Sequence, residues 1–576
     1  MLDLLISAGR VLDGTGAPST VADVGVRDGT IVAVGTIDEP ARCVLDATGL
    51  MVAPGFVDLH THYDAQLSWD PSAAPSPLHG VTTVLGGNCG FGLAPAGPAD
   101  TGYLTRLMSR VEGIPLATLE STLSWEWSSF GEWLDRFEGR LGVNAGFLAG
   151  HSTLRRVAMG DRAVGEAAGP RDLEAMVGLL HDALEAGALG FSTSQAPTHR
   201  DGEGQPVPSR FAGHDEILAL ARAVREHEGS TVEFILPGCL SGFTDEEVEL
   251  MTGLSLAAGR PANWNVLGVS AANPSGHLGQ LEASTRAARR GARIVALTLP
   301  HSMGVRLSFL TGAVLSGFPG WAEVLGLAPH ERKAALASPE VRRRMAEGAR
   351  SEEAGVLRHL AEWHRLRILE TFAAVNDGLA GRSVGSVAKE RGQEPFDALL
   401  DVVIADDLRT GLSPPMPEPS EEDWRLRAEA WLDERTVVGG SDAGAHLDMM
   451  CGAVYTTSLL ASVRDHATIS WEEAARQLSD VPASLYGLRC RGRLAPGFRA
   501  DITVFDPETV GPEPERTVDD LPGGASRLWA GARGIQHVYV NGTAVVADGR
   551  LTGALPGAVL RSGRDTRTVA VPGPLT

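Results

Sequence analysis

Short apolar runs rich in β-branched residues mark both ends of the chain. Asp-Gly at residues 28–29 separates two of them, at 24–26 and 30–34. Asp-Gly between apolar runs is a strong short-range signal for a β-hairpin. Residues 500–505 and 538–546 repeat this pattern near the other end. We therefore predict that the two ends pair into one small β-domain.

Between these ends, glycine-bounded apolar strands alternate with amphipathic helices. Apolar positions recur with helical spacing at residues 173–186 and 214–228. Eight strands that alternate with helices predict an α/β fold, a (β/α)8 TIM-like barrel with its active site at the C-terminal strand ends. The predicted strands are the run that leads to His60 and residues 81–85, 143–149, 188–193, 231–235, 262–266, 293–297 and 436–439.

Residues 303–435 are too long for one connection between a strand and a helix. They carry charged helical patterns at residues 331–350 and 353–369. Long excursions at the active-site face of a barrel often serve as lids or recognition elements. We interpret this stretch as a helical insertion over the barrel mouth.

The charge balance limits the kinds of partner. The net charge of -22 argues against non-specific binding to nucleic acid or to an anionic membrane, which both favour a basic surface. No stretch reaches the roughly 20 apolar residues needed to cross a bilayer. We therefore expect a small-molecule substrate, no nucleic acid and no membrane.

The cysteines and the N-terminal sequence indicate the compartment. The chain has 5 cysteines, widely spaced, which form no disulfide framework. The first residues lack the basic and long apolar regions of a signal peptide. We therefore expect a cytoplasmic protein.

Two histidines one residue apart follow the first predicted barrel strand. Side chains at positions i and i+2 of a strand share one face, so His60 and His62 can bind one metal ion together. Cys89, in Gly-Gly-Asn-Cys-Gly at residues 86–90, follows the second strand. A thiolate is a good metal ligand, and glycines let the backbone approach it closely. The alternatives are ordinary polar residues at a strand end and a small buried cysteine.

An aspartate follows the last predicted strand, in Ser-Asp-Ala-Gly-Ala-His at residues 441–446. Asp442 can bind a metal weakly and can also take a proton from water, as metallohydrolases require. The alternative is an Asx-turn or a helix N-cap. For His446, a structural role near the site and a direct role are equally compatible with the pattern.

These motifs together resemble the amidohydrolase superfamily. They are Gly-Phe-Val-Asp-Leu-His-Thr-His at 55–62, Gly-Gly-Asn-Cys-Gly at 86–90 and Ser-Asp-Ala-Gly-Ala-His at 441–446. Within the superfamily the chain is similar to the D-aminoacylase branch, the N-acyl-D-amino-acid deacylases. The tail at residues 492–505 and Val-Tyr-Val-Asn-Gly at 538–542 resemble the superfamily's return to its β-domain.

The resemblance implies zinc and metal-assisted hydrolysis of an amide. His60 and His62 would bind the metal, Cys89 would be its thiolate ligand, and Asp442 would be the general base. Family analogy alone suggests a homodimer. The implied domains are a small β-sandwich from residues 1–54 and 488–576 and a catalytic barrel at 55–487.

The sequence departs from the branch at two strands. The branch supplies one histidine from strand five and another from strand six, the second in a His-Lys pair whose lysine helps hold the substrate carboxylate. Here Glu233 and Asn265 stand at those places. Glu233 can replace an imidazole as a carboxylate ligand of the metal, whereas Asn265 suits hydrogen bonding. We expect one zinc per chain, or a centre shifted toward an oxygen-preferring metal.

Other polar residues near predicted strand ends are candidates for substrate contacts. Arg155 can hold a carboxylate with two parallel hydrogen bonds, although an ordinary surface arginine is the alternative. The candidate substrate-binding residues are His151, Arg155, His199, Asn265 and His301.

The predicted function is metal-dependent hydrolysis of a linear, non-peptide C–N amide bond, as in N-acyl-amino-acid deacylases. A second hypothesis keeps the fold but changes the substrate to a cyclic amide, a lactone or a specialised biosynthetic intermediate. A third is a degenerate, non-catalytic member that binds a ligand.

Overall fold

The chain begins with five strands that belong to one β-sheet. The computed structural model describes residues 1–301, 304–312, 314–415 and 418–573. β2 and β3 pair antiparallel around Asp28 and Gly29, whose φ angles are +50° and +69°, as the Asp-Gly pattern predicts. These five strands are β1 (Leu2–Val11), β2 (Thr20–Arg27), β3 (Thr30–Gly35), β4 (Ala41–Asp46) and β5 (Met51–Pro54).

Parallel strands and helices alternate over the next 240 or so residues, as expected for an α/β fold. The strands are β6 (Phe56–Asp58), β7 (Val81–Gly86), β8 (Asn144–Phe147), β9 (Ala149–Gly150), β10 (Gly190–Ser194), β11 (Thr231–Ile235), β12 (Ala262–Leu267) and β13 (Ile294–Thr298). The helices are α1 (Tyr63–Gln66), α2 (Thr101–Val111), α3 (Leu116–Thr122), α4 (Phe130–Asp135), α5 (His151–Met159), α6 (Pro170–Glu185), α7 (His214–Arg225), α8 (Gly238–Ser241), α9 (Asp245–Ala258) and α10 (Gly276–Ala288). Short 3₁₀ helices lie at Ser76–His79, Gly160–Ala163 and Pro208–Phe211.

The insertion is mainly helical and has its own hydrophobic core, in which Phe318, Trp321, Trp363 and Phe396 are in ring contact. Its helices are α11 (Ala322–Leu325), α12 (Pro329–Ala337), α13 (Pro339–Arg350), α14 (Val384–Arg391), α15 (Pro395–Ala405) and α16 (Glu421–Trp431). Its 3₁₀ helices are Leu315–Gly317, Glu352–Ala361, Trp363–Arg365 and Ala374–Asn376, and its strands are β14 (Arg367–Glu370) and β15 (Gly411–Ser413). Residue 303, its predicted start, lies outside the described residues.

The helix predicted at residues 353–369 is wrong. Two 3₁₀ helices and β14 occupy that stretch instead. Gly355 has φ +53° and ψ -128°, which a continuous right-handed helix does not allow. The spacing of charged residues in this stretch is typical of a helix, but the backbone does not form a continuous helix.

The last part of the chain adds one parallel strand beside β13 and several strands to the sheet that contains β1–β5. It contains β16 (Thr436–Val438), α17 (Tyr455–His466), α18 (Trp471–Leu478), α19 (Asp480–Leu485) and a 3₁₀ helix at Gly452–Val454. The C-terminal strands are β17 (Ile502–Phe505), β18 (Gly511–Pro512), β19 (Arg516–Leu521), β20 (Ala525–Trp529), β21 (Ala532–Arg533), β22 (Ile535–Val540), β23 (Thr543–Ala547) and β24 (Arg550–Leu551), with a 3₁₀ helix at Pro522–Gly524. β17 pairs antiparallel with β5, so the two ends of the chain form one nine-stranded sheet.

The parallel strands form two sheets whose C-terminal ends carry the predicted site. One sheet has the order β6-β7-β8, and the other has the order β16-β13-β12-β11-β10-β9. A bridge between Thr61 and Ala443 connects the segments that follow β6 and β16. All eight predicted strands are present, the third being divided at Leu148 into β8 and β9. Among the described residues, no helix combines the length and hydrophobicity that crossing a bilayer requires.

Candidate metal centre

His60, His62 and Cys89 form a buried cluster just beyond β6 and β7. Every pair of their candidate ligand atoms lies within 4.8 Å, and Cys89 Sγ is 3.3 Å from His60 Nε2. β6 ends at Asp58, so both histidines follow the strand instead of belonging to it. The backbone bends at Leu59 and His60, and Thr61 N–H ties this segment to the end of β7 by donating to the carbonyl of Leu85. The two rings therefore stay close, with centroids 5.3 Å apart.

The turn after β7 holds Cys89 against the histidines. A side chain at Gly87 would place its Cβ 2.1 Å from the carbonyl oxygen of Leu148, so only glycine fits there. Ser192 Oγ donates to the Gly87 carbonyl and accepts the N–H of Gly90. Cys89 itself has a φ of +56°, a costly conformation for a non-glycine residue that is concentrated at functional sites. Several contacts of this turn therefore hold the Cys89 side chain in one position.

Asp442 faces both histidines from the segment after β16. Its Oδ1 lies 3.3 Å from His60 Nε2 and 3.7 Å from His62 Nε2, and it accepts a hydrogen bond from Asn265 Nδ2 at 3.1 Å. Burial alone raises the pKa of Asp442, but the neighbouring histidines outweigh burial and hold this pKa below its ordinary value. Asp442 is therefore a carboxylate, the form that can accept a proton.

Glu233 faces the ring nitrogen of His60 that does not face Asp442. Its Oε2 accepts the backbone N–H of Cys89 at 2.9 Å, and its Oε1 lies 3.9 Å from His60 Nδ1. The side chain is fully buried, and burial raises its pKa to about 8. Its place as a metal ligand stays a prediction, because it stands outside the three-residue cluster of the described residues.

Glu112 is a site residue that the sequence reasoning missed. It follows α2, and its Oε1 lies 3.3 Å from His62 Nδ1. Both side chains are buried, and burial raises the pKa of Glu112 to about 7. Glu112 directly follows a helix, whereas the predicted site residues follow strands. The sequence feature that could have indicated Glu112 is an acidic residue at the end of an amphipathic helix, directly before Gly-Ile-Pro.

The donor set fits a metal cation. Two imidazoles and one thiolate are typical zinc ligands. Within the described part of the chain, the buried atoms here that have no hydrogen-bond partner include His60 Nδ1, Glu112 Oε1 and Glu233 Oε1. Burial, followed by the charge of Glu233, raises the pKa of the Cys89 thiol well above its ordinary value. A cation at the cluster would reverse that effect and offset the cost of burying these carboxylates.

His151 and Arg155 lie in a separate buried network. Both contact Glu216: His151 Nε2 at 2.9 Å and Arg155 Nη1 at 2.5 Å. His151 Nδ1 also lies 2.8 Å from Thr193 Oγ1. Within the described residues, the hydrogen bonds of His151 and Arg155 do not reach the cluster. Arg155 is fully buried, so it is not a surface arginine, and these contacts favour a structural role for both residues over the predicted substrate contact.

The other candidate residues surround the cluster at different depths. Asn265 donates to Asp442 and thus takes part in the site through that carboxylate. Ser194 Oγ lies 2.7 Å from His199 Nδ1, and burial followed by the charges of His62 and His446 lowers the pKa of His199 to about 4. His301 Nδ1 has no hydrogen-bond partner among the described residues, and burial lowers its pKa to about 4. His199 and His301 as substrate contacts stay predictions.

Comparison with known proteins identifies the family. A profile of the amidohydrolase family matches residues 43–546. The chain is 29% identical to a D-aminoacylase of Alcaligenes xylosoxydans xylosoxydans over 97% of either chain. A solved D-aminoacylase, described as having a binuclear metal center, is 26% identical, with a TM-score of 0.64 and coverage of 97% of this chain and 100% of that one.

An N-acyl-D-glutamate deacylase from Bordetella bronchiseptica, complexed with zinc and a phosphonate inhibitor, is also similar. It is 26% identical, with a TM-score of 0.62 and coverage of 97% of this chain and 100% of that one. These solved relatives support a barrel with an additional domain and a metal site. Since the family profile spans most of the sequence, the chain belongs to the amidohydrolase family, as its motifs predicted.

Proposed function

We propose that this protein is a zinc-dependent deacylase that hydrolyses linear amides of the N-acyl-amino-acid class. The observation that carries the proposal is the buried cluster of His60, His62 and Cys89 with the Asp442 carboxylate beside it. The likeness to D-aminoacylases supports the choice of bond. As part of the proposal, the two parallel sheets correspond to the eight-stranded barrel of these relatives.

In the proposed mechanism, His60, His62 and Cys89 hold the metal, and Asp442 moves the proton. A bound zinc ion would polarise the scissile carbonyl and lower the pKa of water. Asp442 accepts a proton from the attacking water and passes it to the leaving nitrogen, which yields a carboxylate and a free amine. The hydrogen bond from Asn265 fixes the orientation of the Asp442 carboxylate for both transfers.

Glu112 orients His62 in this proposal. A carboxylate beside the far nitrogen of a ligand histidine fixes its tautomer and raises its basicity. Glu112 Oε1 stands 3.3 Å from His62 Nδ1 in an ion-pair contact without a hydrogen bond, so it acts on His62 through its charge. His62 Nε2 is then the nitrogen that faces Asp442 and the cluster.

Glu112→Gln is therefore expected to weaken zinc binding about 10- to 100-fold, because the neutral amide removes the carboxylate charge that stands beside His62. Competition with a chromophoric chelator measures the dissociation constant without any assay of activity. Glu120→Gln, an exposed position on the neighbouring α3, is the matched control. Equal zinc affinity in Glu112→Gln and the unaltered protein would remove Glu112 from the site.

A substrate comparison tests the proposed function itself. Zinc-loaded protein is expected to release amine from N-acetyl-D-leucine faster than it opens dihydrouracil or γ-butyrolactone. Amine detection by a fluorogenic reagent and product separation by chromatography measure the three rates. Activity confined to the cyclic compounds would instead support the second substrate hypothesis. No hydrolysis of any of them by zinc-loaded protein would count against the proposal.

A further inference from the structure

A cavity of about 550 Å³ lies beside the candidate metal centre. Gly113 and Asp448 line it, and they follow Glu112 and His446 by one and two positions. A Cβ at Gly113 would lie 3.3 Å from His446 Nδ1, which shows how closely this wall approaches the site. The cavity is bounded by α2, the insertion and the β19–β20 hairpin. Gly113 thus connects the cavity wall to Glu112 along the chain, whereas no residue of the cluster is among the described lining residues.

Arginines dominate the charge of the cavity wall. Asp448 is the acidic residue among its described lining residues, and five arginines line the same space. A positive cavity in a chain with a net charge of -22 stands out from the rest of the protein. Such a local field attracts anionic ligands. The lining arginines are Arg106, Arg110, Arg306, Arg409 and Arg527.

Three of these arginines are held by carboxylates that do not line the cavity. Arg306 is 3.1 Å from Glu370, Arg409 is 3.0 Å from Asp519, and Arg527 is 2.8 Å from Asp520. These ion pairs fix the far walls of the cavity and neutralise their charge.

The two arginines on α2 are different. Arg106 lies 3.9 Å from Glu203, at the limit of an ion pair, and Arg110 has no ion pair among the described residues. They stand four positions apart, so they share one face of the helix. The positive charge that remains for a ligand therefore comes from α2, directly before Glu112.

The cavity also has an apolar part, formed by Ile114, Leu310 and Leu528. A ligand that fits it carries an anionic group on an apolar body. An N-acyl amino acid with an apolar side chain has that chemistry. Asn265 lies within β12 and is followed by Val266 instead of the lysine that the resemblance implies, so the carboxylate of such a substrate needs another cationic partner.

We propose that Arg110 and Arg106 bind the carboxylate of the substrate in this cavity and thereby select N-acyl amino acids over neutral amides. This inference rests on the proposed deacylase function. It places the residues that bind the substrate carboxylate on α2. Because Glu112 directly follows α2, the same helix also positions a residue beside His62.

The test compares N-acetyl-D-leucine with its neutral analogue N-acetyl-D-leucinamide. Arg106→Ala/Arg110→Ala is expected to raise KM for N-acetyl-D-leucine about tenfold, because charge-assisted hydrogen bonds are lost. The kcat for N-acetyl-D-leucine and the KM for the leucinamide stay within about twofold of the unaltered protein. Arg171→Ala is the matched control, since Arg171 is also exposed on a helix and lies outside the cavity. Equal KM values in the double variant and the unaltered protein overturn the proposal.

A binding measurement separates this inference from the proposed function. Calorimetric titration of zinc-loaded Asp442→Asn protein with N-acetyl-D-leucine is expected to show binding that weakens about tenfold when both arginines are replaced. If unaltered protein binds this compound through the arginines but hydrolyses no amide, the cavity proposal stands and the deacylase function fails. Absence of binding, or binding that the arginine substitutions leave unchanged, overturns the cavity proposal.

Discussion

Asp442→Asn is expected to lower kcat for amide hydrolysis by about 10²- to 10⁴-fold, the usual contribution of a general base. The substitution keeps the size of the side chain and removes the group that accepts the proton. Since His60, His62 and Cys89 remain in place, zinc content is expected to stay unchanged. Steady-state kinetics and elemental analysis of the same preparation measure both quantities.

A second aspartate variant controls for general effects of the substitution. Asp245→Asn removes an exposed carboxylate at the start of α9, far along the chain from the cluster. It is expected to retain the kcat and zinc content of the unaltered protein. If Asp442→Asn also retains near-normal kcat, Asp442 is not the base and the proposed mechanism is wrong.

His60→Ala/His62→Ala is expected to remove the metal and, with it, hydrolysis. Two of the three atoms in the cluster are lost, and Cys89 alone cannot hold zinc tightly. Unaltered protein purified without chelator is expected to contain about one zinc per chain, and the double variant close to none. Elemental analysis of both proteins, with circular dichroism to verify folding, measures the difference.

The chain offers a matched histidine pair as a control. His181 Nδ1 lies 2.8 Å from His227 Nε2 in a partly exposed contact outside the cluster. His181→Ala/His227→Ala is expected to leave the zinc content unchanged. Two metal ions per chain in the unaltered protein would indicate that Glu233 or Glu112 completes a second site. Well-folded native protein without metal would favour the non-catalytic binder instead.

The strand pattern was readable in the sequence because buried parallel strands are short, continuous apolar runs. Residues 231–235 were predicted as a strand with the bounds that β11 has. The helix at 353–369 failed for a local reason, since one glycine with a positive φ divides the stretch. The spacing of charged residues does not predict a positive φ at a glycine.

The candidate site was predictable where it follows strands. His60, His62, Cys89 and Asp442 all stand just after strands, and the fold brings these ends together. Glu112 does not follow a strand, and nothing in its local sequence specifies that it faces His62. Likewise, the hydrogen bonds between Arg155 and Glu216 join positions 61 residues apart, which only the tertiary fold brings into contact.

By itself, the sequence determined the alternation of strands and helices, the pairing signals at both chain ends and the motif residues, because these depend on local periodicity and on chemistry at known offsets. Tertiary structure alone decided which carboxylates face the two histidines, which arginines stay unpaired and where a cavity opens. Those properties depend on distances between segments far apart in the chain, and no short-range pattern encodes them.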